Sequence, residues 1–187
     1  RNAFFTLTNT RSMSPADAQT CIHNLADQLA HIAEEIDQPL DLLVRGDSTL
    51  RGHFPLELET VRSAFEERLG IRYDGVVLCP FFAEGGRVTA GDIHWVEESD
   101  MMRPVALTEF ARDTTFGYSR SHLAHWVEEK TGGAVRASDV LSISLENIRQ
   151  QGPKGVCDQL LQMRPGRVAI INALTYADLF VCMMGLL

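Results

Sequence analysis

The stretch "LDLLVRGDSTLRGHFPLELETVRSAFEERLGIRYDGVVLCP", residues 40–80, sets the reading of the chain. It opens with an apolar run of strand length and passes through a polar knot into a helical pattern from about 55 to 69, which Gly70 closes. A second apolar run, "DGVVLCP", follows. Glycine just past the last periodic residue is a common helix stop. Apolar runs without polar alternation fit strands buried on both faces, as in a parallel sheet.

The same alternation extends outward. Upstream, "AFFTLTN" (3–9) reads as a buried strand, and Ser14-Pro15-Ala16-Asp17 supplies an N-cap with proline in the first turn of a helix reaching about residue 36. Its apolar stripe is Ile22, Leu25, Leu29, Ile32, Ala33 and Ile36. Downstream, residues 81–113 break the pattern, with "EGGRVTAG" as a loop and "DIHWVEE" as a short alternating strand. A helix over 119–130 ends at Gly132-Gly133; "VLSISL", a helix from about Gly152-Pro153 to 163, the strand "RVAIINA" and the helical "YADLFVCMMGLL" resume the alternation. The predicted fold is a layered, Rossmann-like α/β domain with a mostly parallel sheet flanked by helices and a β-excursion around 81–113.

Composition narrows the function. The 187 residues, 45% hydrophobic and 22% charged, fit one domain, or one with an incomplete companion, and contain no apolar stretch of membrane-span length. A net charge of -8 argues against a non-specific nucleic-acid binder, which needs a basic field. Cys21, Cys79, Cys157 and Cys182 are scattered without a CxxC pair, which predicts a reduced, cytoplasmic protein. The start lacks an initiator Met and a signal peptide, and the end falls inside a helical pattern, so the expectation is a fragment.

Open α/β sheets bind ligands beyond the carboxyl ends of their strands, and "VRGDSTLRG" is predicted to lie at such an end. Arg45 and Arg51 can each grip a carboxylate or phosphate through paired hydrogen bonds, and Ser48 and Thr49 can bond hydroxyls. Asp47 can orient an arginine, accept from a hydroxyl or act as a base. The bland alternative is a local turn in which Asp47 pairs with Arg51 and no ligand binds. "PFFAEGGRVTAGDIH" adds Arg87, Thr89 and His94 after the next strand, and Thr8, Asn9, Thr10 and Arg11 follow the first apolar run. Arg11, Arg45, Arg51 and Arg87 together point to a small, hydroxylated, anionic ligand.

"LTNTRSM", "RGDSTLRGH" and "PFFAEGGRVTAGDIHWVEE" followed by "TEFARD", in this order, resemble the N-terminal domain of the four-carbon acid sugar kinase family, which includes threonate, erythronate and 3-oxo-tetronate kinases. The resemblance runs from Phe4 to about Leu179, and "DSTLRG" is its most specific element. It implies that residues 1–187 are a substrate-binding N-terminal domain whose partner is a C-terminal nucleotide-binding domain, with ATP and Mg²⁺ bound mainly outside this chain. The reaction implied is in-line phosphorylation of the terminal 4-hydroxyl. Arg11, Arg45, Asp47, Ser48 and Thr49 match substrate-binding positions of the family, while Arg51 and Arg87 match positions of less defined role. The family's "DDLTG" segment, the source of the implied base, is expected upstream of Arg1, which leaves Asp47 as a weaker catalytic candidate. Asn172 stands where an acidic residue is expected. No GxxxxGK[ST] or GxGxxG phosphate cradle occurs, so the chain alone is not expected to transfer phosphate.

Two other readings use the same residues. Gly46-Asp47-Ser48 after an apolar run resembles a GDSL-type serine esterase with Ser48 as nucleophile, although neither a DxxH motif nor a Gly-x-Asn-Asp segment accompanies it. The chain could also be a non-catalytic sugar-acid-binding module. His122 and His125 lack a third ligand at metal spacing and read as solvated or capping groups. The Met101-Met102 and Met183-Met184 pairs read as packing, Trp95 and Trp126 as core or interface aromatics, and the 81–113 excursion as the candidate surface for a homo-oligomer.

Overall fold

The computed structural model describes residues 3–36, 40, 42–163 and 165–187. The chain forms two compact units: Arg1–Arg45 with Gly52–Arg72, and Gly46–Arg51 with Tyr73–Leu187.

In the first unit a 3-10 turn, Thr10–Ser12, leads into helix α1, Pro15–Glu35. Ser14 caps α1 by accepting from the Asp17 amide at 3.2 Å, with Pro15 in the first turn, as the sequence predicts. Helix α2, Leu56–Leu69, packs against α1 and ends on Gly70 in the left-handed conformation (φ 66°). The buried residues of α1 are Ala18, Ile22, Ala26, Ala30 and Ala33, and those of α2 are Thr60, Val61, Ala64 and Phe65. Ile32 and Ile36 of the predicted stripe are exposed instead. Ala18, Ala26, Ala30 and Ala33 with Ile22 give the closer-packing face, and Ile32 and Ile36 fall beside it. Arg68 pairs with Asp27 at 2.7 Å across the two helices.

Two predicted strands do not form among the described residues. Residues 3–9 join no ladder, and Phe5 and Leu7 are each 93% exposed. Leu42, Leu43 and Val44 are likewise unpaired, with Asp41 of the "LDLLV" run outside the described residues. An apolar run becomes a strand only when a neighbour satisfies its amides and carbonyls. Among the described residues these two runs have no such neighbour.

The second unit holds both sheets. Strand β1 is Gly75–Leu78, β2 Arg87–Ala90, β3 Ile93–Glu98, β4 Met101–Pro104, β5 Leu141–Ile143 and β6 Arg167–Ile171. The first sheet is parallel in the order β1-β6-β5, with Val77 opposite Ala169 and Ser142 opposite Ile170. Helices α3, Leu123–Lys130, α4, Gly152–Leu160, and α5, Tyr176–Leu186, accompany it. α4 and α5 meet so closely at Gly185 that a Cβ there would lie 2.7 Å from the Pro153 carbonyl oxygen. Ile143, Ile148, Val156, Ile171, Ala173 and Cys182 form the core beneath.

The predicted excursion is the antiparallel sheet β2-β3-β4, joined to the parallel sheet where Thr89 N–H donates to the Ala173 carbonyl at 3.0 Å. Its hairpins turn on Gly91-Asp92 and Ser99-Asp100, all at positive φ, the geometry of two-residue hairpin loops. The "EGGRVTAG" loop is therefore half strand. Helix α3 begins at Leu123 rather than 119, and the methionines of both pairs are 40–66% exposed rather than packed. Trp126 is buried, as predicted.

Thr175 and Asp178 form a capping box at the start of α5. Asp178 accepts both Arg149 Nε and Nη2, at 2.8 and 3.0 Å, and the amides of Leu174 and Thr175. Arg149 above all, then these amides against the opposing effect of burial, holds its carboxyl down at about 2. A folded pKa below the unfolded value stabilises above the ordinary carboxylate range and is lost as pH falls through about 2. Arg149→Ala should let that pKa rise, so acid unfolding followed by circular dichroism begins at higher pH than in the wild type. An unchanged acid transition contradicts this.

Candidate functional site

The loop Gly46–Arg51 is a closed turn. Asp47 accepts from the Thr49 amide at 3.2 Å, the Thr49 hydroxyl at 2.5 Å and Arg51 Nε at 2.6 Å, while Leu50 N–H donates to the Asp47 carbonyl at 2.9 Å. This is an aspartate bonding its own backbone two residues on, reinforced by an i,i+4 ion pair. Burial would raise the Asp47 pKa, but the Thr49 and Arg51 hydrogen bonds and the Arg51 charge outweigh it, and the carboxyl sits below its ordinary value. A carboxylate so engaged is a weak proton acceptor and a good organiser of Arg51. Leu50 is buried at φ 66°, a conformation that a leucine keeps only where its surroundings enforce it.

Two side chains from elsewhere in this unit hold the loop. His94, fully buried in β3, faces the Ser48 carbonyl through Nε2 at 2.8 Å and Thr89 Oγ1 through Nδ1 at 3.0 Å. Burial, partly opposed by its backbone hydrogen bonds and aided by the Arg87 charge, lowers its pKa to about 4, so the ring is neutral at pH 7. A carbonyl only accepts, which places the single ring proton on Nε2. The buried Tyr118 hydroxyl donates to the Thr49 carbonyl at 2.7 Å, and burial raises its pKa, so it remains a donor.

Arg51 and Arg87 share one aromatic ring. Their guanidinium carbons lie 4.8 and 5.5 Å from the centroid of Phe110, in the 3-10 turn Glu109–Arg112. Arg51 also approaches Asp113 at 3.9 Å, and Arg87 donates to the Gly85 carbonyl through Nη1. Arg87 Nε is buried and unbonded. The turn that delivers Arg87 requires glycine: Gly86 has φ 68°, and a Cβ there would lie 2.6 Å from Cβ of Glu97.

The second unit thus brings together Asp47, Ser48, Thr49, Arg51 and Arg87 of the predicted residues. Arg11 and Arg45 belong to the first unit, where both are exposed; Arg11 is on the Thr10–Ser12 turn, whose Thr10 carbonyl lies 3.1 Å from His53 Nε2. Neither follows a β-strand, which corrects the picture of arginines at three strand ends. Sequence reasoning missed Phe110, Tyr118 and the loop contacts of His94. "TEFARD" contained the aromatic, but nothing in its spacing marks two arginines beside it. His94 meets the carbonyl of Ser48 rather than its hydroxyl, so this histidine does not supply the activation an esterase nucleophile needs.

The chain matches the family described as "Sugar-binding N-terminal domain" over residues 1–187. It is a member of that family, the N-terminal domain of four-carbon acid sugar kinases. The domain is also similar to a solved structure from Salmonella typhimurium LT2, provisionally described as a tRNA synthase, with a TM-score of 0.65 and 16% identity. That match covers 95% of this chain and 39% of the other, and at this identity it speaks for the fold alone. No curated protein matches the chain. No helix among the described residues is long and apolar enough to cross a membrane.

Proposed function

We propose that the domain binds the sugar acid of an ATP-dependent kinase acting on the terminal 4-hydroxyl of threonate, erythronate or 3-oxo-tetronate. The observation that carries this reading is the Gly46–Arg51 loop, with Arg51 fixed by Asp47 and set beside Arg87 on the Phe110 ring. Two guanidiniums near a hydroxyl-bearing turn suit an anion that also carries hydroxyls. Arg51 and Arg87 bind the carboxylate, Ser48 addresses hydroxyls, and Asp47 with the buried Thr49 hydroxyl orients Arg51.

ATP and Mg²⁺ are proposed to bind mainly on the nucleotide-binding partner domain, and the residues of this loop address the sugar acid. Among the described residues no group of three or more His, Cys, Asp or Glu could hold a metal ion, and the sequence has no glycine-rich phosphate cradle. The domain should be heated with threonate, with erythronate and with the neutral tetritols threitol and erythritol. A ligand of the folded state raises the midpoint. A rise with an acid and none with the tetritols is expected. No rise with either acid, or equal rises with the tetritols, overturns the reading.

A further inference from the structure

We infer that His94 and Tyr118 are positioning residues that hold the Gly46–Arg51 loop in its working shape. This rests on the reading of that loop as the sugar-acid site. The two donors meet consecutive carbonyls, those of Ser48 and Thr49, from positions 46 and 69 residues away in sequence. Between them they fix the peptide groups just ahead of Leu50, the left-handed leucine that turns the chain toward Arg51. A residue in that conformation relaxes unless its neighbours are pinned, and relaxation swings Arg51 away from Asp47 and Phe110.

Each donor is itself braced. His94 is tied through its amide to the Ser121 carbonyl at 2.9 Å and through Nδ1 to Thr89. Tyr118 is tied through its amide to the Ala111 carbonyl at 3.1 Å, and Lys130 Nζ, which donates to the carbonyls of Phe116 and Gly117, sits 6.0 Å over its ring. The phenol contributes its hydroxyl bond independently of its ring packing. Tyr118→Phe therefore removes the loop contact while leaving the ring in place.

Hydrogen exchange reads the loop directly and needs no ligand. In Tyr118→Phe the Leu50 amide and Arg51 Nε–H should exchange about tenfold faster, the scale of one lost hydrogen bond, while β6 amides keep their wild-type rates. His94→Leu should have the same local effect, and His94→Gln, whose amide can replace the Nε2 donor, should restore slow exchange. Unchanged exchange at Leu50 and Arg51 in Tyr118→Phe, or equal acceleration throughout β6, overturns the positioning role. Calorimetric titration with threonate and erythronate separates the two ideas: affinity falling with faster exchange supports both, whereas no binding by the wild type removes the sugar-acid reading and leaves exchange to judge the brace.

Discussion

Asn172→Asp is expected to destabilise the second unit by roughly 3–5 kcal/mol at pH 7, the scale of an uncompensated buried charge. Asn172 is 1% exposed at the end of β6. Its side-chain oxygen accepts from the Asp92 amide at 2.9 Å, and its NH₂ donates to Asp92 Oδ1 at 2.7 Å and to the Ile143 carbonyl at 3.1 Å. Ser142 also donates to Asp92 Oδ1, at 2.6 Å. An amide accepts and donates at once here, which an ionised carboxylate of the same shape cannot do. Aspartate keeps the acceptor, loses both donors and sets a second carboxylate against Asp92. Burial and that like charge raise the new group's folded pKa, so the defect is smallest below the ordinary carboxylate range and grows as pH rises through the raised value. Urea midpoints of variant and wild type should converge toward pH 4 and separate toward pH 7. A pH-independent difference, or none, contradicts the assignment. The amide thus has a structural reason to stand where the family resemblance predicts an acid: it ties the β2–β3 turn, and with it the strands bearing Arg87 and His94, to the parallel sheet.

What the sequence made legible follows the range of the interactions. "DGVVLCP" and "RVAIINA" read correctly because a run buried in a parallel sheet carries its environment in its own composition. Ser14-Pro15 and Gly70 read correctly because capping is local. "AFFTLTN" and "LDLLV" are also mainly apolar, yet strand formation depends on a neighbour that composition does not reveal. Within the site, the Asp47–Arg51 pair was visible as an i,i+4 spacing in a turn. The His94 and Tyr118 contacts were not, because their acceptors are backbone carbonyls, which leave no trace in residue identity. Glycines ahead of "RVTA" signalled a loop, and one exists there, but they also hid the strand it feeds.

Arg51→Met should weaken threonate or erythronate binding by about a hundredfold, equivalent to roughly 3 kcal/mol, within the range for truncating one partner of a hydrogen-bonded charge pair. The wild-type side chain is 19% exposed, donates to Asp47 and lies on Phe110. Methionine retains apolar contact with the ring and removes only the charge and fork. Asp47 then keeps its two bonds from Thr49 without its cation, so an anionic ligand meets a net negative loop where it had met a neutral pair. Both changes act against binding. Arg51→Lys should recover only part of the loss, since an ammonium cannot bond Asp47 and a ligand carboxylate in one plane. Without Arg51 the Asp47 pKa should rise toward its ordinary value; stability lost on acidification through the depressed wild-type pKa is then smaller in the variant. Isothermal titration of folded Arg51→Met beside the wild type decides the matter, and affinity within threefold of wild type removes Arg51 from the site.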